Sequence, residues 1–199
     1  MRRSEFAIKD QRQIEEILHT ISYGTLALAK DNKPYSIPIN FVYKDNLIYF
    51  HGAKKGRKKE YMLCNSIASF SVVEPFSMIQ SYFSSNEGLA CPATHFFRSI
   101  ICEGEVRIVE EYGTKVKALQ LLMEKLQPEG KYKDLSDEVY EKMINATEVF
   151  CFEIREMSAK VKLGQHLDKE RYEMILKYLE DRGSKTDKIT IQKMKEQRC

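Results

Sequence analysis

The sequence predicts a mainly β protein: an antiparallel sheet of six or seven strands, curled or closed into a small barrel, with helices around its outside. Three observations carry this expectation. Strand-like segments at residues 24–29, 35–43 and 47–51 are separated by Asp31-Asn32-Lys33-Pro34 and Lys44-Asp45-Asn46, two tight-turn sequences in succession that make an antiparallel meander. Further segments of the same kind lie at 67–73, 100–109 and 147–155, with a short one at 159–163. Few of the intervening links are long enough to hold a crossover helix, which argues against a parallel α/β sheet.

Each element has a local reason. Asp10 can cap a helix in which Ile14, Ile17, Leu18 and Ile21 recur at i, i+3, i+4 and i+7, with Gln13 three residues past the cap. The meander follows, and then a short helix at 57–64 that starts just after Gly56. Residues 75–93 have no clear period but contain Phe76, Met78, Ile79, Tyr82, Phe83 and Leu89, as expected of a lid or of a short irregular helix near 77–84. Gly104 marks a bulge or bend within 100–109. Helices are expected at 114–126 with Leu119, Leu122, Met123 and Leu126 inward, at 136–144, and at 168–182 with Tyr172, Ile175, Leu176 and Leu179 inward and Gly183 as the stop. Residues 1–183 read as a single domain. Residues 184–199, mixed in charge and sparsely apolar, read as a tail that frays or orders only on a partner.

Composition narrows the function classes. The 199 residues are 43% hydrophobic and carry a net charge of only +3, so the chain as a whole demands neither nucleic acid nor an anionic membrane. Basic character is local, at residues 54–59. No apolar run approaches the ~20 residues that cross a bilayer. Polar Ser4, Glu5, Lys9 and Asp10 stand where a signal peptide needs its apolar segment, so a cytoplasmic protein is expected. Five cysteines, at 64, 91, 102, 151 and 199, form no Cys-x-x-Cys pair, and Cys102 and Cys151 sit in apolar strands as small buried hydrophobes.

Three pieces of sequence carry chemistry. The apolar strand ending at Phe50 runs into His51-Gly52-Ala53-Lys54-Lys55-Gly56-Arg57-Lys58. Its glycines let backbone NH groups point at an anion, and Arg57 and Lys58 add charge at a helix start. Cations there are unfavourable unless an anion joins them; the alternative is a solvated basic loop. The second piece is Ser36-Ile37-Pro38-Ile39-Asn40-Phe41, a strand with a proline at its centre, where something other than a neighbouring strand can lie. The third is Thr94-His95-Phe96-Phe97-Arg98-Ser99-Ile100-Ile101-Cys102-Glu103-Gly104, a polar patch leading into a strand.

In this order the pieces resemble the FMN-binding split barrels related to pyridoxamine phosphate oxidase, most closely their nitroimidazole-reductase-like branch. That pattern has a strand with Pro-x-Asn-Phe, a strand ending in Tyr-Phe-His-Gly-Ala, then Gly-x-Lys, and later Arg-Ser-x-x-x-x-Gly. It matches residues 23–60 and 94–126. The resemblance implies a split β-barrel, a homodimer with FMN at the subunit interface, and a reductase that passes electrons from NAD(P)H to a small acceptor such as a nitroaromatic compound. It also implies site residues. Arg57 and Lys58, with Gly56, would hold the phosphate. Ile37, Pro38, Ile39 and Asn40 would lie along the ring system, His51, Gly52 and Ala53 would line its ribityl side, and Arg98 and Ser99 would reach a flavin from a neighbouring strand or across the dimer. An FMN phosphate favours charge-assisted donors, and its flat ring an apolar wall with few polar pins.

Two departures from the pattern border the substrate side: the length of 75–93, and Phe97 where many members have tyrosine before Arg-Ser. His51 either contacts the cofactor or caps its strand. Cys91 and His95 are half a metal site without further ligands at suitable spacing, so no metal is expected. No catalytic triad is legible, and none is required when a flavin carries the electrons. The competing readings are a haem-binding or haem-degrading split barrel, in which a histidine late in the chain or on 75–93 would ligate iron, and a noncatalytic binder of flavin or nucleic acid through 54–59.

Overall fold

The computed structural model describes residues 3–83 and 85–198. Seven strands form one sheet in the order β2-β1-β5-β6-β7-β4-β3. They are β1 (Tyr23–Lys30), β2 (Lys33–Asn40), β3 (Val42–Lys44), β4 (Leu47–Gly52), β5 (Ile67–Ile79), β6 (Thr94–Ile108) and β7 (Glu148–Lys162). The helices are α1 (Gln11–Thr20), α2 (Arg57–Cys64), α3 (Tyr112–Leu126), α4 (Glu141–Ala146), α5 (Lys169–Arg182) and α6 (Lys185–Arg198). The outermost strands of the sheet, β2 and β3, are joined by the single residue Phe41, which is fully buried. Two Cα–Cα steps span at most about 7 Å, so the two edges must meet there and the sheet must curl.

Both hairpins of the meander form through turns whose central residues have positive φ: Asp31 and Asn32 at 50° and 60°, Asp45 and Asn46 at 51° and 62°. Asn and Asp tolerate that region, and paired positive φ values match the twist of the strands they join. β1 pairs with β2 from Tyr23 opposite Asn40 to Lys30 opposite Lys33.

Contacts divide the chain into two compact units. One comprises Asp10–Val72 and Ile100–Ser158; the other comprises the described residues up to Lys9, Val73–Ser99, and those from Ala159 onward. In the first unit the core is aromatic. Phe41 meets Phe70 edge-on at 5.0 Å, and Phe50 stacks on Phe150 at 5.2 Å. Each such buried ring contributes about 2 kcal/mol. α1 is capped by Asp10, whose Oδ1 accepts from the Arg12 amide at 3.0 Å. α3 buries Lys115, Ala118 and Leu122; of the stripe read from the sequence Leu122 is inward, Leu119 and Met123 are half-buried with Leu119 packed on the core, and only Leu126, 40% exposed, departs from it. Gly104 sits inside β6 because a Cβ there would lie 2.0 Å from the Glu153 carbonyl oxygen. Cys102 and Cys151 are buried and free, and burial pushes the Cys102 thiol up to about 12.

Lys125, near the end of α3, donates to the Leu18 carbonyl at 2.8 Å and lies 3.8 Å from the Phe41 ring centroid. Burial pushes its pKa from 10.5 down to about 8. Between those values the unfolded chain holds more protons than the folded one, so this lysine makes stability rise with pH across that window. The unfolding temperature of the wild type is therefore expected to gain on that of Lys125→Met as pH rises from 8 to 10, measured by circular dichroism. Parallel curves would refute the assignment.

Three expectations are corrected. β5 does not stop at Val73 but continues through Pro75 to Ile79, followed by a 3-10 turn at Ser81–Phe83. The aperiodic segment is thereby shortened, and Phe76, Ile79 and Phe83 are buried. The strands expected at 147–155 and 159–163 are one continuous strand, β7. Residues 185–198 are not a frayed tail but helix α6, with Asp187, Thr190 and Met194 buried. α5 behaves as its pattern suggests: Tyr172, Ile175 and Leu179 are inward, and Gly183, at φ 63°, ends it.

Candidate functional site

β4 delivers His51 and Gly52 opposite Val149 and Glu148 of β7. The chain then turns through Ala53–Gly56, exposed throughout, into α2. Gly56 has φ 127°, a value that side chains resist, and no side chain caps the helix it opens. The first-turn amides of α2 therefore keep their hydrogen-bonding capacity for a ligand.

The three cations that open α2, Arg57, Lys58 and Lys59, are placed differently. Lys59 is neutralised by an ion pair with the buried Glu148. Arg57 lies over the Tyr35 and Tyr61 rings, at 4.4 and 5.0 Å, and donates to the Tyr61 hydroxyl at 3.0 Å. Lys58 folds back so that Nζ donates to the His51 carbonyl at 3.2 Å, 4.7 Å from the Phe150 ring centroid. Gly52 makes room for it, because a Cβ there would be 2.4 Å from Lys58 Nζ. Among the described residues neither Arg57 nor Lys58 has a carboxylate partner. Desolvation lowers the Lys58 pKa; desolvation and then the Lys58 charge lower that of His51, although His51 as a whole remains exposed. Two uncompensated cations at an uncapped helix start are what an anionic group would relieve.

β2 extends the site. Tyr35, Ile37 and Ile39 alternate along one face, each half-buried, so Arg57 rests at one end of an apolar stripe. Pro38 is exposed on the opposite face, and Asn40 Nδ2 donates to the Ser22 carbonyl at 3.1 Å. Because β2 pairs only with β1, its other edge has no strand partner among the described residues. Residues 37–40, 51–53 and 56–58 thus belong to one compact unit. Arg98 and Ser99 belong to the other, where Arg98 is buried and its Nε donates to Glu74 at 2.6 Å.

Tyr35, Tyr61, Phe150 and Glu148 were not among the residues read from the sequence. Tyr61 stands four residues beyond Arg57 on α2, a spacing that could have been used. The others reach the turn only through the sheet. His95 Nε2 contacts the Phe76 carbonyl at 2.9 Å, and no group of three or more His, Cys, Asp or Glu suited to a metal occurs among the described residues.

A curled seven-stranded antiparallel sheet, with its cationic turn between β4 and a helix start, defines a split-barrel protein. A family model described as pyridoxamine 5'-phosphate oxidase matches residues 10–161, and the chain belongs to that family. Similar solved structures include a protein assigned to 5-nitroimidazole antibiotic resistance from Bacteroides thetaiotaomicron (21% identity, 78% of this chain and 86% of that one, TM-score 0.63). A flavocytochrome from Azotobacter vinelandii aligns at 24% identity over 84% and 75% of the two chains with a TM-score of 0.68. An FAD- and haem-binding protein from Mycobacterium smegmatis aligns at 20% identity over 78% and 73% with a TM-score of 0.64. No protein of curated function matches the chain. Among the described residues no helix is long and apolar enough to cross a membrane.

Proposed function

We propose that this protein is an FMN-dependent oxidoreductase that passes electrons from NAD(P)H to a small acceptor such as a nitroaromatic compound. The observation that carries the reading is the turn at 51–58, where an uncapped helix start meets two cations without carboxylate partners. The residues fit a flavin phosphate. The α2 amides, Arg57 and Lys58 supply charge-assisted donors, and nothing within 4 Å of Gly56 would meet even a Cβ. The half-buried stripe of Ile37 and Ile39 offers an apolar wall that excludes water from one ring face, and His51, its pKa lowered, is a neutral hydrogen-bonding group at neutral pH. When bound, the flavin supplies the electron-transfer chemistry. The chain's part is to bind, to orient and to keep water off.

A homodimer is part of the proposal. Leu63, Ile67 and Ile101, all in one unit, are 69%, 53% and 48% exposed, and a second copy would cover apolar side chains of this kind. The test is an absorption spectrum after incubation with FMN or FAD and removal of free flavin. Retained flavin bands that NADH or NADPH bleaches without air, and that a nitroaromatic restores, support the reading; failure to retain either flavin overturns it. A Soret band on adding haem, without retained flavin, would instead select the haem-binding alternative.

A further inference from the structure

The second unit contains a cavity of about 330 Å³ that shares no residue with the turn at 51–58. Phe96, Ile79 and Ile175, nearly or fully buried, are among its walls, and Thr94, Lys162, His166 and Arg171 bring polar groups to it. Lys162, half-buried at the end of β7, donates to the Thr94 hydroxyl, and among the described residues no carboxylate lies within ion-pair distance of it. Among the described residues the carboxylate partner of Arg171 is the helix-capping Asp168, at 3.8 Å and largely exposed. The His166 ring is set edge-on against Phe6 at 5.0 Å. Glu87 also lines the cavity, and Glu5 near His166 is taken up by Arg3 at 2.6 Å, so among the described residues the group left without a carboxylate partner is the Lys162 ammonium. Desolvation, with the Lys160 and Arg3 charges, lowers the Lys162 pKa, and desolvation, Arg3 and Lys162 lower that of His166. A half-buried ammonium beside further cations and without a counter-ion is unfavourable unless an anion enters.

We propose that this cavity binds a small organic anion through a carboxylate or phosphate group held by Lys162, Arg171, His166 and the Thr94 hydroxyl. Apolar walls beside that charged group suit a metabolite with a short hydrocarbon body, too large a molecule being excluded by the volume. The inference does not depend on flavin binding at the other unit.

Cys91 lines the cavity and is exposed and free, so it reports on occupancy, while exposed Cys64 on α2 serves as an internal control. The full-length protein is alkylated with iodoacetamide in the presence of inorganic phosphate or malonate, at ionic strength fixed with chloride, and each cysteine is followed by peptide mass mapping. Several-fold slowing at Cys91 but not at Cys64 is expected with at least one of the two anions; phosphate or malonate selectivity then separates the two headgroups. Lys162→Met and Arg171→Met should each weaken the protection. Independently of any ligand, the ratio of iodoacetate to iodoacetamide reactivity should be higher at Cys91 than at Cys64 and should fall in Lys162→Met. Absence of protection by both anions in the wild type, or protection unchanged in both variants, overturns the proposal.

Discussion

Replacing Asp187 with alanine is expected to destabilise the protein by about 3 kcal/mol and to release its C-terminal helix, because the change breaks a buried, charged network. The Asp187 side chain is fully buried. Its Oδ2 accepts from Arg182 Nε at 2.9 Å and from the Ser184 hydroxyl at 2.6 Å, and its Oδ1 from the Ser77 hydroxyl at 2.5 Å. Thr190 Oγ1 accepts from the Ser77 amide at 3.0 Å, and Arg182 also reaches the Met78 carbonyl at 3.1 Å. One carboxylate therefore ties the end of α5 and the start of α6 to β5. The alanine variant should show a lower urea midpoint and new protease cuts within 185–198. An unchanged midpoint would mean that the network contributes nothing net.

The same group sets an acid dependence. The Arg182 guanidinium above all, with Ser184 and Ser77 hydroxyls, holds the Asp187 carboxyl well below its ordinary 3.8 despite burial. A folded pKa below the unfolded one means that the stabilisation is complete above 3.8 and is lost as pH falls through the folded value. The gap between wild type and Asp187→Ala should accordingly shrink only in acid.

Lys58→Ala is expected to weaken FMN binding by about 10- to 100-fold, since a charge-assisted hydrogen bond contributes about 1.5–3 kcal/mol. Its ammonium has no carboxylate to hold it elsewhere, and its removal exposes no buried charge, so stability should barely move. Gly52→Ala tests the same contact without deleting it. The added methyl would stand 2.4 Å from Nζ, and the flexible lysine must swing away. Fluorescence quenching of FMN should rank the affinities wild type, Gly52→Ala, Lys58→Ala. Equal affinity across the three would place the phosphate away from this turn.

What the sequence made legible were features written locally. The Asp31-Asn32 and Asp45-Asn46 turns, the Asp10 cap and the Tyr172, Ile175, Leu179 stripe each declare themselves within a few residues, and each is present. The extension of β5 was hidden because Pro75 normally argues against a strand interior. α6 was hidden because polar groups, Asp187 and Thr190, do much of its anchoring, and hydrophobic periodicity cannot register them. The long β7 was split at Arg155-Glu156-Met157-Ser158, where polar residues flank Met157 and Arg155 pairs with Glu105 at 2.7 Å on the neighbouring strand. At the site, the cations could be read but not their partners, since Tyr35 and Glu148 are brought to α2 by strand pairing across large separations in sequence.

The prolines of β2 have one more consequence. Pro34 and Pro38 have the same parity, so both withhold a backbone donor on the same flank of the strand. Another polypeptide attempting to zip onto that flank would find two rungs missing within five residues. The seam of the sheet is thus protected from self-templated fibril growth while staying open to a small molecule, which requires no regular ladder.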